Sequence, residues 1–213
     1  MKTGVEMTTE QTPRVPELRR RRVDLPNLIS LFRYLGATGF AIASLAPSHH
    51  FISAAILALL IFTYLSDVLD GYLARRAAGR IAPEGRVIDS AADSYTFIVV
   101  FLALLRLDAT SEGVLLGIIA ARSIFDLTRL IALSRGHEYA APTSLTKAKG
   151  LVYALSSIAL YAGFAVPGLS WMVAGPMPAL INVAIIAFTI LAAGSFLRSH
   201  GHHLAHAIFR QTP

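Results

Sequence analysis

The chain has no cysteine. That excludes disulfides and thiolate-ligated metals and leaves the redox compartment undetermined. Charge is scarce, with 15% of the 213 residues being Asp, Glu, Lys or Arg, against about a quarter in an ordinary soluble domain. Lysine is nearly absent: Lys2, Lys147 and Lys149 stand beside 16 arginines. No internal repeat is visible, so an inverted-repeat transporter gains no support. A cleavable signal peptide is not expected either. The basic run Arg19 to Arg22 precedes an apolar stretch, but that stretch is long enough to span a bilayer and others follow it.

What is present is apolar. Hydrophobic residues make up 54% of the chain and the mean hydropathy is positive, which points to lipid as the solvent. The net charge of +6 then suits an anionic membrane surface rather than nucleic acid. A hydrocarbon core of about 30 Å needs spans of about 20 residues. Six stretches qualify, at 28–46, 51–73, 87–107, 113–134, 148–168 and 176–197. The expectation is an all-α, polytopic integral membrane protein with six transmembrane helices around a polar cavity that faces the cytoplasm. A basic arm (1–23) precedes a membrane domain (24–199), and a His-rich tail (200–213) follows.

Basic residues collect on one side. They lie in the arm, in the second connection (Arg75, Arg76, Arg80, Arg86), in the fourth (Arg135, Lys147, Lys149) and in the tail (Arg198, Arg210); the other side has only Arg106. By the positive-inside rule both termini are cytoplasmic, in the cell (inner) membrane. Trp171 suits an outer interfacial anchor. Gly36 and Gly39 permit close helix packing, within one chain or across a homodimer. His200, His202, His203 and His206 read more readily as part of a polar interfacial helix than as a transition-metal site.

Asp67 and Asp70 lie near the cytoplasmic end of the second span, and Asp89 and Asp93 near the start of the third. Carboxylates in hydrocarbon are costly unless paired, hydrated or bound to a cation. Helical spacing puts Asp67, Asp70, Gly71, Ala74 and Arg75 on one broad face, and Gly85, Asp89 and Asp93 on one stripe. Packed together, these helices bring four carboxylates into one place, where they repel one another. Divalent cations remove the conflict, and all-oxygen ligation suits Mg²⁺, Mn²⁺ or Ca²⁺. Two such ions can clamp a diphosphate, and Arg75 can hold further phosphate oxygens. The bland alternative is a set of interfacial ion pairs with Arg75, Arg76, Arg80 and Arg86. A divalent-cation transporter is the competing functional class, but it predicts acids distributed across the membrane depth.

The segment Asp67-Val-Leu-Asp70-Gly71-Tyr-Leu-Ala74-Arg75, followed by Gly85-Arg-Val-Ile-Asp89-Ser-Ala-Ala-Asp93, resembles the D-x-x-D-G-x-x-A-R…G-x-x-x-D-x-x-x-D signature of the CDP-alcohol phosphotransferases (CDP-alcohol phosphatidyltransferases). All eight signature positions are occupied. Leu25-Pro26-Asn27-Leu28-Ile29-Ser30-Leu31-Phe32-Arg33 and Thr146-Lys147-Ala148-Lys149-Gly150 are similar to segments of the phosphatidylglycerophosphate and cardiolipin synthase branches. The spacer from Arg75 to Gly85 is one residue longer than the common one. Ser90 and Ser94 stand where many phosphatidylglycerophosphate-branch members have Pro and Lys.

The resemblance implies a phospholipid-synthesising transferase. A phosphatidyl group would pass from CDP-diacylglycerol to an alcohol acceptor, with release of CMP. Asp67, Asp70, Asp89 and Asp93 would bind two divalent cations, Mg²⁺ or Mn²⁺. Asp93 would also deprotonate the acceptor hydroxyl, and Gly71, Ala74, Arg75 and Gly85 would contact the CDP moiety. Glycerol 3-phosphate is the expected acceptor, with inositol phosphate or phosphatidylglycerol as alternatives. Arg122, Asp126 and Arg129 share a face of the fourth span. Arg122, Arg129 and Lys147, with Lys149 opening to the same cavity and Arg198 near, are candidates for an acceptor phosphate. The competing reading is an internal Arg122–Asp126 pair.

Overall fold

The computed structural model describes residues 25–46, 50–76, 83–134 and 142–209, with side chains placed over 30–46, 52–66, 68–69, 72, 89–134 and 142–202. The described residues are helical, without strands. In chain order they form α1 (Leu25–Ser44), α2 (His50–Arg76), α3 (Pro83–Arg106), α4 (Glu112–Ser134), α5 (Ser144–Ala165), a short 3-10 helix (Pro167–Met172) and α6 (Met177–Phe209). Each of the six apolar stretches falls mainly on one long helix; only 51–73 and 113–134 lie wholly inside theirs, and the others run one to three residues past a helix end.

Local chemistry explains where these helices begin and end. α3 stops at a Schellman-type turn: Ala109 N–H donates to the Leu104 carbonyl at 2.9 Å, and Asp108 adopts φ 56°, a left-handed geometry that Asp tolerates. α5 begins at Ser144 rather than near 148, because Thr143 caps it. The Thr143 hydroxyl accepts from Thr146 N–H at 3.3 Å, so the cap and not the first apolar residue marks the start. The chain leaves α5 through the 3-10 helix, opened by Pro167, which lacks a donor and is preset for the first helical position. α6 runs on through residues 200–209, so the histidine-rich segment continues this helix as far as Phe209.

α1 packs on α2 and α3, α3 on α4, α4 on α6, and α5 on α2, α3 and α6. Aromatic rings hold the centre: Phe97 and Phe101 meet Tyr153 edge-on at 5.2 and 5.8 Å, and Phe40 meets Tyr161 at 4.9 Å. A second cluster joins α4 to α6 through Phe125 and Phe196, 4.8 Å apart. Two pairs of hydroxyls are joined across helices, Tyr153 with Thr189 at 2.5 Å and Tyr64 with Ser157 at 2.8 Å. Gly36 is used inside the chain, since a Cβ there would run into Thr63 Oγ1 on α2.

Polarity is distributed inside out. Arg33, Arg122, Arg129 and Lys149 are buried, while Leu35, Ile42, Phe62, Leu116, Leu151 and Ile190 are all at least 60% exposed. Water would penalise that exterior; lipid does not. By length and composition, Ser144–Ala165 and Met177–His202 can each cross a membrane, and Ile52–Ser66 is a shorter apolar helix.

Candidate functional site

The site is built from one face of α3 and the helices on either side of it. Asp89 and Asp93 lie one turn apart on α3, so their carboxyl groups project in the same direction. α1 supplies Arg33. Its neighbours Ala37 and Phe40 are buried on the same side of the helix, and Thr38 bonds Tyr95 of α3 at 2.7 Å. That packing sets the register which sends the Arg33 guanidinium to the acids. Arg33 Nη1 donates to Asp93 Oδ1 at 2.5 Å and lies 3.3 Å from Asp89 Oδ1.

The other oxygen of Asp93 faces α4, with Arg122 Nη2 at 3.9 Å from Oδ2. Asp93 is therefore held between two guanidinium groups, Arg33 being 1% exposed and Arg122 8%. The Arg122 group also stacks over Phe97, 5.4 Å from the ring centroid, and its Nε is buried without a hydrogen-bond partner.

Two turns further along α4, Arg129 Nη1 donates to Ser90 Oγ at 2.5 Å and lies 3.5 Å from Asp126 Oδ1. Ser90 passes the contact on, donating to Asp126 Oδ1 at 3.2 Å. Ser94 Oγ sits 3.2 Å from Asp126 Oδ2 and 2.9 Å from the Ser90 carbonyl, so its single proton is shared between them. The Arg122–Asp126 pair of the competing reading is thus not the observed one. Arg122 turns to Asp93, and Asp126 is taken by Arg129 and the two serines.

α5 closes the cluster. Lys149 is 3% exposed, with its ammonium 4.2 Å from the Phe125 ring centroid and 5.3 Å from that of Tyr153. Cation–π attraction compensates part of the hydration it has lost. Lys147 is exposed. Residues two apart on a helix point about 200° from each other, so the two lysines do not open onto one surface. Arg198 is exposed as well.

Among the sequence-derived candidates, then, Asp89, Asp93, Arg122 and Arg129 come together, joined by Lys149. The helical backbones of α2 and α3 carry Asp67, Asp70, Gly71, Ala74, Arg75 and Gly85, whose side chains lie outside those described. Among the described residues no group of three or more acids or histidines forms a metal cage; the two described signature acids face arginine instead. The sequence did not single out Arg33 as a site residue. Its signal was a lone arginine inside an otherwise apolar stretch, a placement that needs a buried acid to explain it.

A family model, that of the CDP-alcohol phosphatidyltransferases, matches residues 23–208. No individual curated protein matches the chain. The match covers all six helices and the whole polar cluster between them. On that ground the chain belongs to the CDP-alcohol phosphatidyltransferase family of membrane-embedded enzymes, which are generally dependent on divalent cations and transfer a substituted phosphoryl group from a CDP-alcohol to an acceptor alcohol.

Proposed function

We propose that this enzyme transfers a phosphatidyl group from CDP-diacylglycerol to glycerol 3-phosphate, releasing CMP, as in the phosphatidylglycerophosphate synthase branch. The observation that carries the acceptor assignment is the buried group of cations, Arg122, Arg129 and Lys149, next to Asp93. Such a group is costly in a membrane protein without an anion to receive. Arg129 already has Asp126. Arg122 shares Asp93, and Lys149 meets aromatic faces. These last two cations suit the phosphate of a small phosphorylated alcohol. Inositol phosphate offers the same anion and is the alternative acceptor; phosphatidylglycerol would also present a phosphate, but with its own lipid chains.

Asp89 and Asp93 are suited to a divalent cation. They are hard oxygen donors one turn apart, and they already share one cation in Arg33. With Asp67 and Asp70 they form the proposed ligand set for two Mg²⁺ or Mn²⁺ ions. Ions bound there would neutralise the diphosphate and lower the cost of the charge that builds on departing CMP.

The acceptor hydroxyl oxygen attacks the β-phosphorus and the bond to the CMP oxygen breaks. Asp93 receives the hydroxyl proton. Arg122, beside Asp93, places the acceptor phosphate so that its hydroxyl lies near that carboxylate. Gly71, Ala74, Arg75 and Gly85 hold the CDP moiety. The fold around this site is taken as six spans with the cavity and both termini on the cytoplasmic side. Residues 24–199 form the membrane domain, and 1–23 and 200–213 lie outside it. Exposed apolar flanks on α1, α2, α4, α5 and α6 support that reading, and it lets lipid chains remain in the bilayer while CDP meets water.

The test is CMP release by detergent-purified protein supplied with CDP-diacylglycerol and Mg²⁺ or Mn²⁺. The acceptor panel is glycerol 3-phosphate, inositol 1-phosphate, inositol, serine and phosphatidylglycerol. Release should require glycerol 3-phosphate, stop with chelator and be lost in Asp93→Asn. Metal-dependent release with another acceptor would replace the acceptor assignment. Folded, metal-loaded protein that releases no CMP with any of them would overturn this donor chemistry.

A further inference from the structure

Arg33 makes an unusual contact with the two signature acids. A guanidinium serving one carboxylate normally presents two nitrogens to its two oxygens. Here a single nitrogen, Nη1, meets Oδ1 of Asp93 at 2.5 Å and Oδ1 of Asp89 at 3.3 Å. One positive group therefore bridges two carboxylates, the arrangement a shared metal ion also requires.

We propose that Arg33 is the internal counter-cation of the Asp89–Asp93 pair: it holds both carboxylates in place in the metal-free enzyme and gives them up when a divalent cation binds. This rests on the reading of Asp89 and Asp93 as metal ligands.

Three observations support it. Like charges one turn apart on a helix repel, so a cation beside the pair stabilises it whether or not metal is present. Arg33 is carried to the acids by α1 packing that does not depend on them, through the Thr38–Tyr95 hydrogen bond and the Tyr34–Tyr95 ring contact at 4.8 Å. Finally, Arg33 is 1% exposed while the Asp89 and Asp93 side chains are 49% and 32% exposed, so the buried guanidinium has lost its hydration and depends on these acids for compensation.

The consequence is competition. A divalent ion held between Asp89 and Asp93 competes for the carboxylates to which Arg33 donates, and a buried guanidinium resists losing its anion. Metal loading is thus an exchange of one cation for another, and the affinity for metal alone is lowered by the arginine. Arg33 acts on the reaction through Asp89 and Asp93, as a positioning residue. A purely structural Arg33 would affect folding but would not weaken metal binding.

The experiment measures Mn²⁺ binding to full-length protein in detergent at pH 8, without substrate, from the free-ion electron paramagnetic resonance signal. The set is wild type, Arg33→Gln, Arg33→Lys, Asp89→Asn and Asp93→Asn. Arg33→Gln should bind Mn²⁺ about tenfold more tightly than wild type, the tightening expected when a competing contact of ordinary ion-pair strength is removed. Arg33→Lys keeps a charge but reaches the pair less well, and should fall between. Its preserved charge also keeps the test usable if Arg33→Gln does not fold. Equal or weaker binding in every folded Arg33 variant overturns the inference. If Asp89→Asn and Asp93→Asn still bind as wild type does, or if neither wild type nor the Arg33 variants bind Mn²⁺, the metal reading fails and takes this inference with it. If the Asp variants lose binding while the Arg33 variants match wild type, only the inference about Arg33 fails.

Discussion

Ser94 Oγ on α3 lies 3.2 Å from Asp126 Oδ2 on α4, and this contact accounts for a sequence peculiarity. Ser90 and Ser94 replace the Pro and Lys common in the phosphatidylglycerophosphate branch. Together they hold the Asp126 carboxylate, Ser90 by Oδ1 and Ser94 by Oδ2, and so tie α3 to α4 beside Asp93. The Ser90→Ala, Ser94→Ala double variant should lose about 1–3 kcal/mol of stability, the usual worth of hydrogen bonds to a charged group. Thermal unfolding in detergent is the measurement. An unchanged melting temperature would show that the clasp contributes nothing.

Asp93→Asn keeps the size of the side chain and removes the base. The rate of CMP release should fall by about 10²–10⁴-fold, the usual share of a positioned base, while the circular dichroism spectrum stays that of wild type. Activity within a few-fold of wild type would assign proton removal to another group.

Lys149→Ala and Arg122→Ala should each raise KM for glycerol 3-phosphate by about ten- to a hundredfold, the worth of one charge-assisted hydrogen bond, with a smaller effect on KM for the CDP-diacylglycerol donor. Lys147→Ala should move the acceptor KM far less, because Lys147 is exposed while Lys149 is buried among the site's aromatic rings. Steady-state kinetics with each substrate varied in turn checks this. Equal effects of the two lysines would return Lys147 to the site.

Glycine substitutions should separate tight helix contacts from loose ones. A Cβ at Gly36 would strike Thr63 Oγ1, whose hydroxyl bonds the Leu59 carbonyl at 2.8 Å. At Gly163 it would stand 2.8 Å from Val173 Cγ1. Gly36→Ala and Gly163→Ala should each cost about 1–3 kcal/mol, as overpacking does. Gly39→Ala meets only an ordinary contact, Leu59 Cδ2 at 3.5 Å, and should be tolerated. Melting temperatures of the three variants decide it; a fall with Gly39→Ala as large as the others would contradict this packing.

The helices were legible because length and apolar run-on are local properties. Their ends were less so. α5 starts at its Thr143 cap, upstream of its apolar run. The family was legible where its signature is written in one short segment, from Asp67 to Asp93. Partners drawn from distant helices were not. Spacing on α4 alone permitted Arg122 with Asp126, but Asp126 meets Ser90 and Ser94, leaving Arg122 to Asp93.

The sequence by itself determined the solvent, the helix count and the acid signature, since each depends on residue type and near-neighbour spacing. Only the tertiary structure decided which cation faces which acid. That choice depends on the rotation of each helix against its neighbours, which the packing of Ala37, Phe40, Tyr95 and Phe97 sets. It placed Arg33 on Asp89 and Asp93, and buried Lys149 rather than Lys147.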